Sequence, residues 1–182
     1  MRIVLATPLY PPEIAEPAPY IKELAKRLAK SHEVTIVAYA RLPEDVPGAR
    51  IIAVDKYLPL FLRLPRYFFS LLQAARSADV VYAVNGASVE LPAALVSLFS
   101  SSPLIIRIGD RAAHERAQNN IVAGLIERFA FSRARDVIED APKVRPEIIP
   151  FEPYPAEQFA AYEQSWDAHL RTLEKLFTHA TA

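Results

Sequence analysis

The chain has 182 residues, 21 basic and 21 acidic side chains, 52% hydrophobic residues and no cysteine. That length implies one domain with a full core, and the balanced charge gives no electrostatic case for nucleic acid. Absent cysteine excludes disulfides and thiolate metal sites, and the 4 scattered histidines suggest no metal centre. Residues 2–6 (Arg-Ile-Val-Leu-Ala) form an apolar run that predicts a buried strand. A Pro-rich loop from Thr7 to Glu16 follows. Ile21, Leu24, Ala25 and Leu28 then fall at i, i+3, i+4 and i+7, predicting one helix face. A second strand at 33–37 closes a βαβ unit, the opening of a parallel sheet.

Residues 41–48 are turn-rich, and 50–54 read as the third strand. The stretch from Tyr57 leads into a helix ending near Ser77, with Leu64, Phe68, Leu71, Leu72 and Ala75 as its core stripe. Strand four is expected at 79–83, with Ser88 as the cap of a helix running to about Ser100. Strand five is expected at 103–108, one helix from Ala112 to Ser132, and short strands at 135–138 and 147–149. The alternation implies a doubly wound parallel Rossmann-like sheet in one α/β domain, strand order 3-2-1-4-5 followed by the two short strands. Finally, Phe159, Tyr162, Trp166, Leu170, Leu173 and Phe177 repeat at 3 or 4 residues, a single-seam helix over 156–179. No run reaches about 18 uncharged apolar residues, so no transmembrane segment is expected. Met1-Arg2 leads straight into a strand, so no signal peptide is expected, and a cytoplasmic location fits. With 16 prolines against 4 glycines, stiff loops are expected.

Several motifs carry a family resemblance. The run Thr7-Pro-Leu-Tyr-Pro-Pro-Glu-Ile14, followed by Tyr20 to Leu28 and His32-Glu33-Val34-Thr35, resembles the start of a family 4 retaining glycosyltransferase. Such enzymes have the two-domain GT-B fold, with an acceptor-binding first domain and a nucleotide-sugar-binding second domain. Their first loop usually ends in two glycines followed by Pro-Ala-x-Tyr. Here Pro17-Ala18-Pro19-Tyr20 stands in register, but Ala15-Glu16 replaces the glycines. Arg107-Ile108-Gly109-Asp110 and the later Glu115-Arg116-Ala117-Gln118-Asn119 are similar to a bacterial branch of the family, with one residue of difference in each spacer. Ser165-Trp166-x-x-His169 resembles the family's terminal helix, which crosses back onto the first domain. The resemblance therefore implies residues 1–150 as the GT-B N-terminal-like domain, with 151–182 as linker and returning helix packed on it. The donor domain would be missing between them, with the join near residues 150–155.

For each motif a plainer role stands beside the functional one. In the family the paired glycines let backbone N–H groups approach the donor diphosphate. Ala15 would resist positive φ by roughly 1–2 kcal/mol, and Glu16 would repel a phosphate by about 1–4 kcal/mol per charge pair. The loop, with Tyr10, is then either a ligand-binding edge or purely structural. Asn85-Gly86 either lines the acceptor side or makes a turn. Asp110 is implied to touch the transferred sugar, and it also suits a helix N-cap. His114 is a weaker catalytic candidate whose plainer role is a surface residue; Asp110 and His114 would face one another if the helix starts early. Arg107 and Gly109 complete the candidate substrate-binding set. Glu139 and Glu147 have the spacing of the family's donor-domain carboxylates, but Pro142 and Pro146 between them reject the match. The apolar stretch Tyr57–Leu72 would hold a lipid-linked acceptor, rest on a membrane, or form core plus a partner contact; Phe69 falls off its core stripe.

Two functions follow. In the first, the chain is the acceptor-side half of a nucleotide-sugar-dependent glycosyltransferase, inactive alone. It carries no cofactor of its own, and a nucleotide-sugar donor is expected only with a donor-domain partner chain. In the second, it is a non-catalytic minimal domain that serves binding or assembly, for instance as a homodimer through the uncovered edge formed by Leu9, Tyr10, Ile14, Asn85 and Asp110.

Overall fold

The computed structural model describes residues 1–109, 111–139 and 156–181. Six strands, β1 (Arg2–Thr7), β2 (Glu33–Tyr39), β3 (Ala49–Val54), β4 (Val80–Val84), β5 (Leu104–Arg107) and β6 (Asp136–Ile138), form one sheet. Every pairing is parallel, and the order is β3-β2-β1-β4-β5-β6. The expected order 3-2-1-4-5 is thus observed, with the first short strand at the far edge. The second short strand, at 147–149, lies outside the described residues, as does the join at 150–155.

Strand alternation splits the core into two layers. Ile3 and Leu5, Val34 and Ile36, Val80 and Tyr82, and Ile105 point to one face. There they meet α1 (Ala18–Leu28) and α6 (Ala156–Thr181). Val4 and Ala6, Val37, Val81 and Ala83, Leu104 and Ile106 point to the other. That face is covered by α2 (Leu60–Ala75), α3 (Ala87–Val96) and α5 (Ile121–Arg133). The central strands β1 and β4 are buried on both faces, which is why they read as unbroken apolar runs.

On α6, Trp166, Leu173 and Phe177 are fully buried, while Leu170 is half-buried and Phe159 exposed. Full burial of each large side chain is worth roughly 1.5–3 kcal/mol. A bidentate pair from Arg27 of α1 to Glu163 (2.9 and 2.7 Å) ties the helix down further.

Three local expectations are corrected. Ser88 is not a cap: α3 starts after Gly86, whose φ of +133° no other residue type readily adopts. The single helix over 112–132 is two, α4 (Arg111–Asn119) and α5, because Asn120 is extended and its Oδ1 accepts a hydrogen bond from Ala123 N at 3.0 Å. Gly124 permits the fold-back, since a Cβ there would lie 2.7 Å from the Ala117 carbonyl oxygen. On α2 the fully buried side chains are Tyr67, Leu71 and Ala75, with Phe68 and Leu72 only partly covered. Tyr67 was missing from the expected stripe. It stacks on Tyr39 at 4.3 Å and donates to Val37 O at 3.0 Å.

Candidate functional site

A doubly wound sheet leaves a crevice where the strand order reverses, here between the carboxyl ends of β1 and β4. The loops after β1, β4 and β5 meet there. Pro8 fills part of the crevice: a Cβ on Gly86 would be 3.6 Å from its ring. The β1 loop then turns inward. Tyr10 is fully buried in the core beside α1, and burial pushes its hydroxyl pKa up. This overturns the expectation that Tyr10 lies on an uncovered edge. Pro-rich chain folding over itself explains the difference. Ile14 is exposed, Leu9 is half-buried, and Ala15 is exposed. No non-glycine among the described residues has positive φ, so Ala15 bears no such strain.

Asn85 is also fully buried, against the expectation that it is uncovered. Its Oδ1 accepts from Gly109 N at 2.8 Å, and its own N–H donates to Arg107 O at 2.9 Å. It therefore clasps the ends of β4 and β5 together. Arg107, at the end of β5, is 6% exposed, and its guanidinium lies over the Tyr20 ring at 3.7 Å. Its Nε and Nη1 are buried without a hydrogen-bond partner. Gly109 lies against it; a Cβ there would come within 2.8 Å of Nη1. Position 109 must be small because the guanidinium occupies the space.

Glu16 completes this cluster without closing an ion pair. Partial burial raises its carboxyl pKa, and the positive field of Arg107 opposes the rise. Tyr20, fully buried, is the hub. Its hydroxyl is 2.9 Å from the Tyr82 hydroxyl and 2.8 Å from His169 Nε2, and its ring stacks on Trp166 at 5.7 Å. Burial raises the Tyr20 pKa to about 12, with Arg107 and the Tyr82 bond pulling it back. Tyr20 thus connects the sheet edge to α6.

A second polar cluster joins α3, α4 and α5. His114 Nδ1 is 2.6 Å from Glu127 Oε1, and with the carboxylate accepting, Nδ1 carries the proton. Gln118 Nε2 stands 3.2 Å from the other ring nitrogen. Glu90, 2% exposed, has one oxygen without a partner. Burial raises its pKa to about 7, Glu127 adds to the rise, and the Gly86 N–H and His114 oppose it. Sequence reasoning named His114 but not its carboxylate partners. The available clue was Glu90 itself, the lone charge in an otherwise apolar helix. Asp110, the strongest catalytic candidate, lies outside the described residues, and so does any pairing of it with His114. Among the described residues no group of three His, Cys, Asp or Glu side chains is placed to hold a metal ion. No described helix is long and apolar enough to cross a membrane.

Fold and site together define an α/β domain with a six-stranded parallel sheet flanked by helices and a polar edge at the switch point, an architecture that resembles one half of a GT-B fold. Among solved structures the chain is similar to HepE of Anabaena, in a crystal structure with UDP and glucose, at 20% identity and a TM-score of 0.50. The match covers 75% of this chain and 37% of that one, so the chain spans well under half of HepE. At this identity the likeness is one of fold. No family model matches the sequence, and no curated protein does.

Proposed function

We propose that this chain is the acceptor-side half of a nucleotide-sugar-dependent glycosyltransferase of family 4 type, inactive alone and completed by a partner chain that supplies the donor site. The observation that carries this reading is the polar edge at the switch point, where Arg107, Glu16, Asn85 and Gly109 converge on a sheet of GT-B order. The α6 seam supports residues 151–182 as a returning segment on the 1–150 domain, since Trp166, Leu173 and Phe177 complete the core beside α1.

The edge chemistry favours a hydroxyl-rich ligand over a phosphate. A hydroxyl can donate to the Glu16 carboxylate and accept from a guanidinium, so a sugar acceptor satisfies both charges. A diphosphate would meet Glu16 at a cost of about 1–4 kcal/mol per charge pair. Transfer also needs the donor carbon held about 3–3.5 Å from the acceptor, which one domain does not supply. HepE was crystallised with UDP and glucose, and we assign the nucleotide part of such a ligand to the missing half. Asp110 remains the proposed contact to the transferred sugar and His114 a secondary candidate.

The test is a transfer assay with the purified chain, alone and mixed with a donor-half protein. The expected result is no turnover alone and turnover in the mixture. Turnover of any nucleotide-sugar by the single chain refutes the reading. The second reading is a non-catalytic binding or assembly module. It is favoured by the burial of Tyr10 and the commitment of Asn85 to structure, which remove two ligand contacts from the edge. Absence of turnover in every mixture, with a stable complex still formed, would select it.

A further inference from the structure

We propose that the outer face of α2, continued by the end of α3, docks on an anionic lipid surface. On α2, Tyr67, Leu71 and Ala75 face the sheet. The opposite side carries Phe61, Pro65 and Phe69 at i, i+4 and i+8, all exposed; the two rings are 74% and 63% exposed. Leu62 stands beside them, half exposed. Phe68 bridges onward, meeting Phe69 at 5.2 Å and Phe99 at 6.3 Å, both edge to face. Phe99 is 67% exposed, so the apolar surface runs from α2 to the end of α3. An exposed patch of this kind marks an interaction surface. The prolines do not break it: α2 is one helix of 16 residues with Pro65 inside.

Charge selects the occupant. From residue 57 to 109 the only acidic residues are Asp79 and Glu90. Asp79 is bound to Arg2, and Glu90 is buried. Arg63 is turned inward, with Nη1 donating to Lys56 O at 2.7 Å and its guanidinium over Tyr39. Arg66, on α2, and Arg76, just past its end, are exposed. Among the described residues of this stretch, the face therefore presents aromatic side chains and cations, with no exposed acid outside an ion pair. A second copy in a twofold pair would bring the same cations to the contact and no exposed, unpaired acid of this stretch to meet them. A lipid surface supplies both complements: the acyl boundary takes the rings and anionic headgroups take the arginines. The helix would lie in the interface, since it is too short to span it.

Flotation of the full chain with vesicles tests this. The chain should float with phosphatidylglycerol–phosphatidylcholine vesicles, weakly with phosphatidylcholine alone, and less as salt rises. The double variant Phe61→Ser/Phe69→Ser alters exposed residues only, so its circular dichroism and melting should match the parent. Its partitioning should fall by about tenfold or more. Arg66→Glu should abolish the preference for the anionic vesicles. A parent chain that floats with neither vesicle overturns the proposal, as does a double variant that binds like the parent. Self-association without lipid that the double variant abolishes would assign the face to a second copy instead.

Discussion

Glu90→Gln tests the physics of the α3–α5 cluster. The Glu90 carboxyl is almost wholly buried, with its pKa raised from 4.5 to about 7 by burial and by Glu127. The folded chain therefore keeps a proton that the unfolded chain has released between those two values. Its stabilising contribution is complete below about pH 4.5 and is lost as pH rises through about 7. The gap corresponds to roughly 3 kcal/mol. Glutamine is neutral at every pH and has nearly the same shape, so it fills the site without a titrating group. At about pH 4, where both states hold the proton, the variant should match the parent to within roughly 0.5 kcal/mol. At about pH 8 it should be more stable by up to roughly 3 kcal/mol. Urea denaturation of both proteins at both pH values measures this. A difference between variant and parent that is the same at the two pH values would refute the assignment of a raised pKa to Glu90.

Three further outcomes are expected. Tyr10→Phe removes a buried hydroxyl that has no partner, so stability in urea should stay level or rise by up to about 1 kcal/mol; a loss beyond that would reveal a bond to this hydroxyl. Trp166→Ala should cost about 3–5 kcal/mol, read as an earlier urea midpoint, because the ring packs against Tyr20, Tyr162 and His169; a cost below about 1 kcal/mol would show that α6 contributes little to the core. Gly109→Ala forces a Cβ to 2.8 Å from Arg107 Nη1 and 3.1 Å from Val84, so a loss of about 1–3 kcal/mol is expected in thermal melts, and an unchanged melt would mean that the guanidinium moves aside freely.

The sheet was legible in the sequence because parallel strands buried on both faces are short apolar runs, and each of the four inner strands, β2, β1, β4 and β5, is one. The α6 seam was legible because its period is local. What failed was non-local. Tyr10 sits among prolines, and nothing in that window says the loop turns into the core. Tyr67 was missed because the α2 stripe was chosen on aliphatic neighbours, while the buried position is decided by Tyr39 on another element. The break at Asn120 did carry a local mark, an Asn before Ile121-Val122-Ala123, but the flanking helix formers mask it. The Glu90–Glu127–His114 cluster draws on three helices, and no spacing along the chain announces it. Of the candidate site, Arg107, Glu16 and Gly109 do meet at one edge. Their hub, Tyr20, was seen only as part of a motif.

The hub has an optical consequence. Trp166 is the chain's single tryptophan, and it is surrounded by groups that tune an indole: Tyr20 stacked at 5.7 Å, His169 at 5.9 Å and the Arg27 cation at 5.1 Å. Tyr20 carries Arg107 on its ring at 3.7 Å, and Arg107 reaches the sheet edge. Light emitted by one buried residue on the last helix is therefore coupled, through one tyrosine, to whatever happens at the opposite end of that chain of contacts. A ligand that draws Arg107 off the ring would change the colour or brightness of Trp166 without touching it, giving the molecule an intrinsic reporter with no label attached.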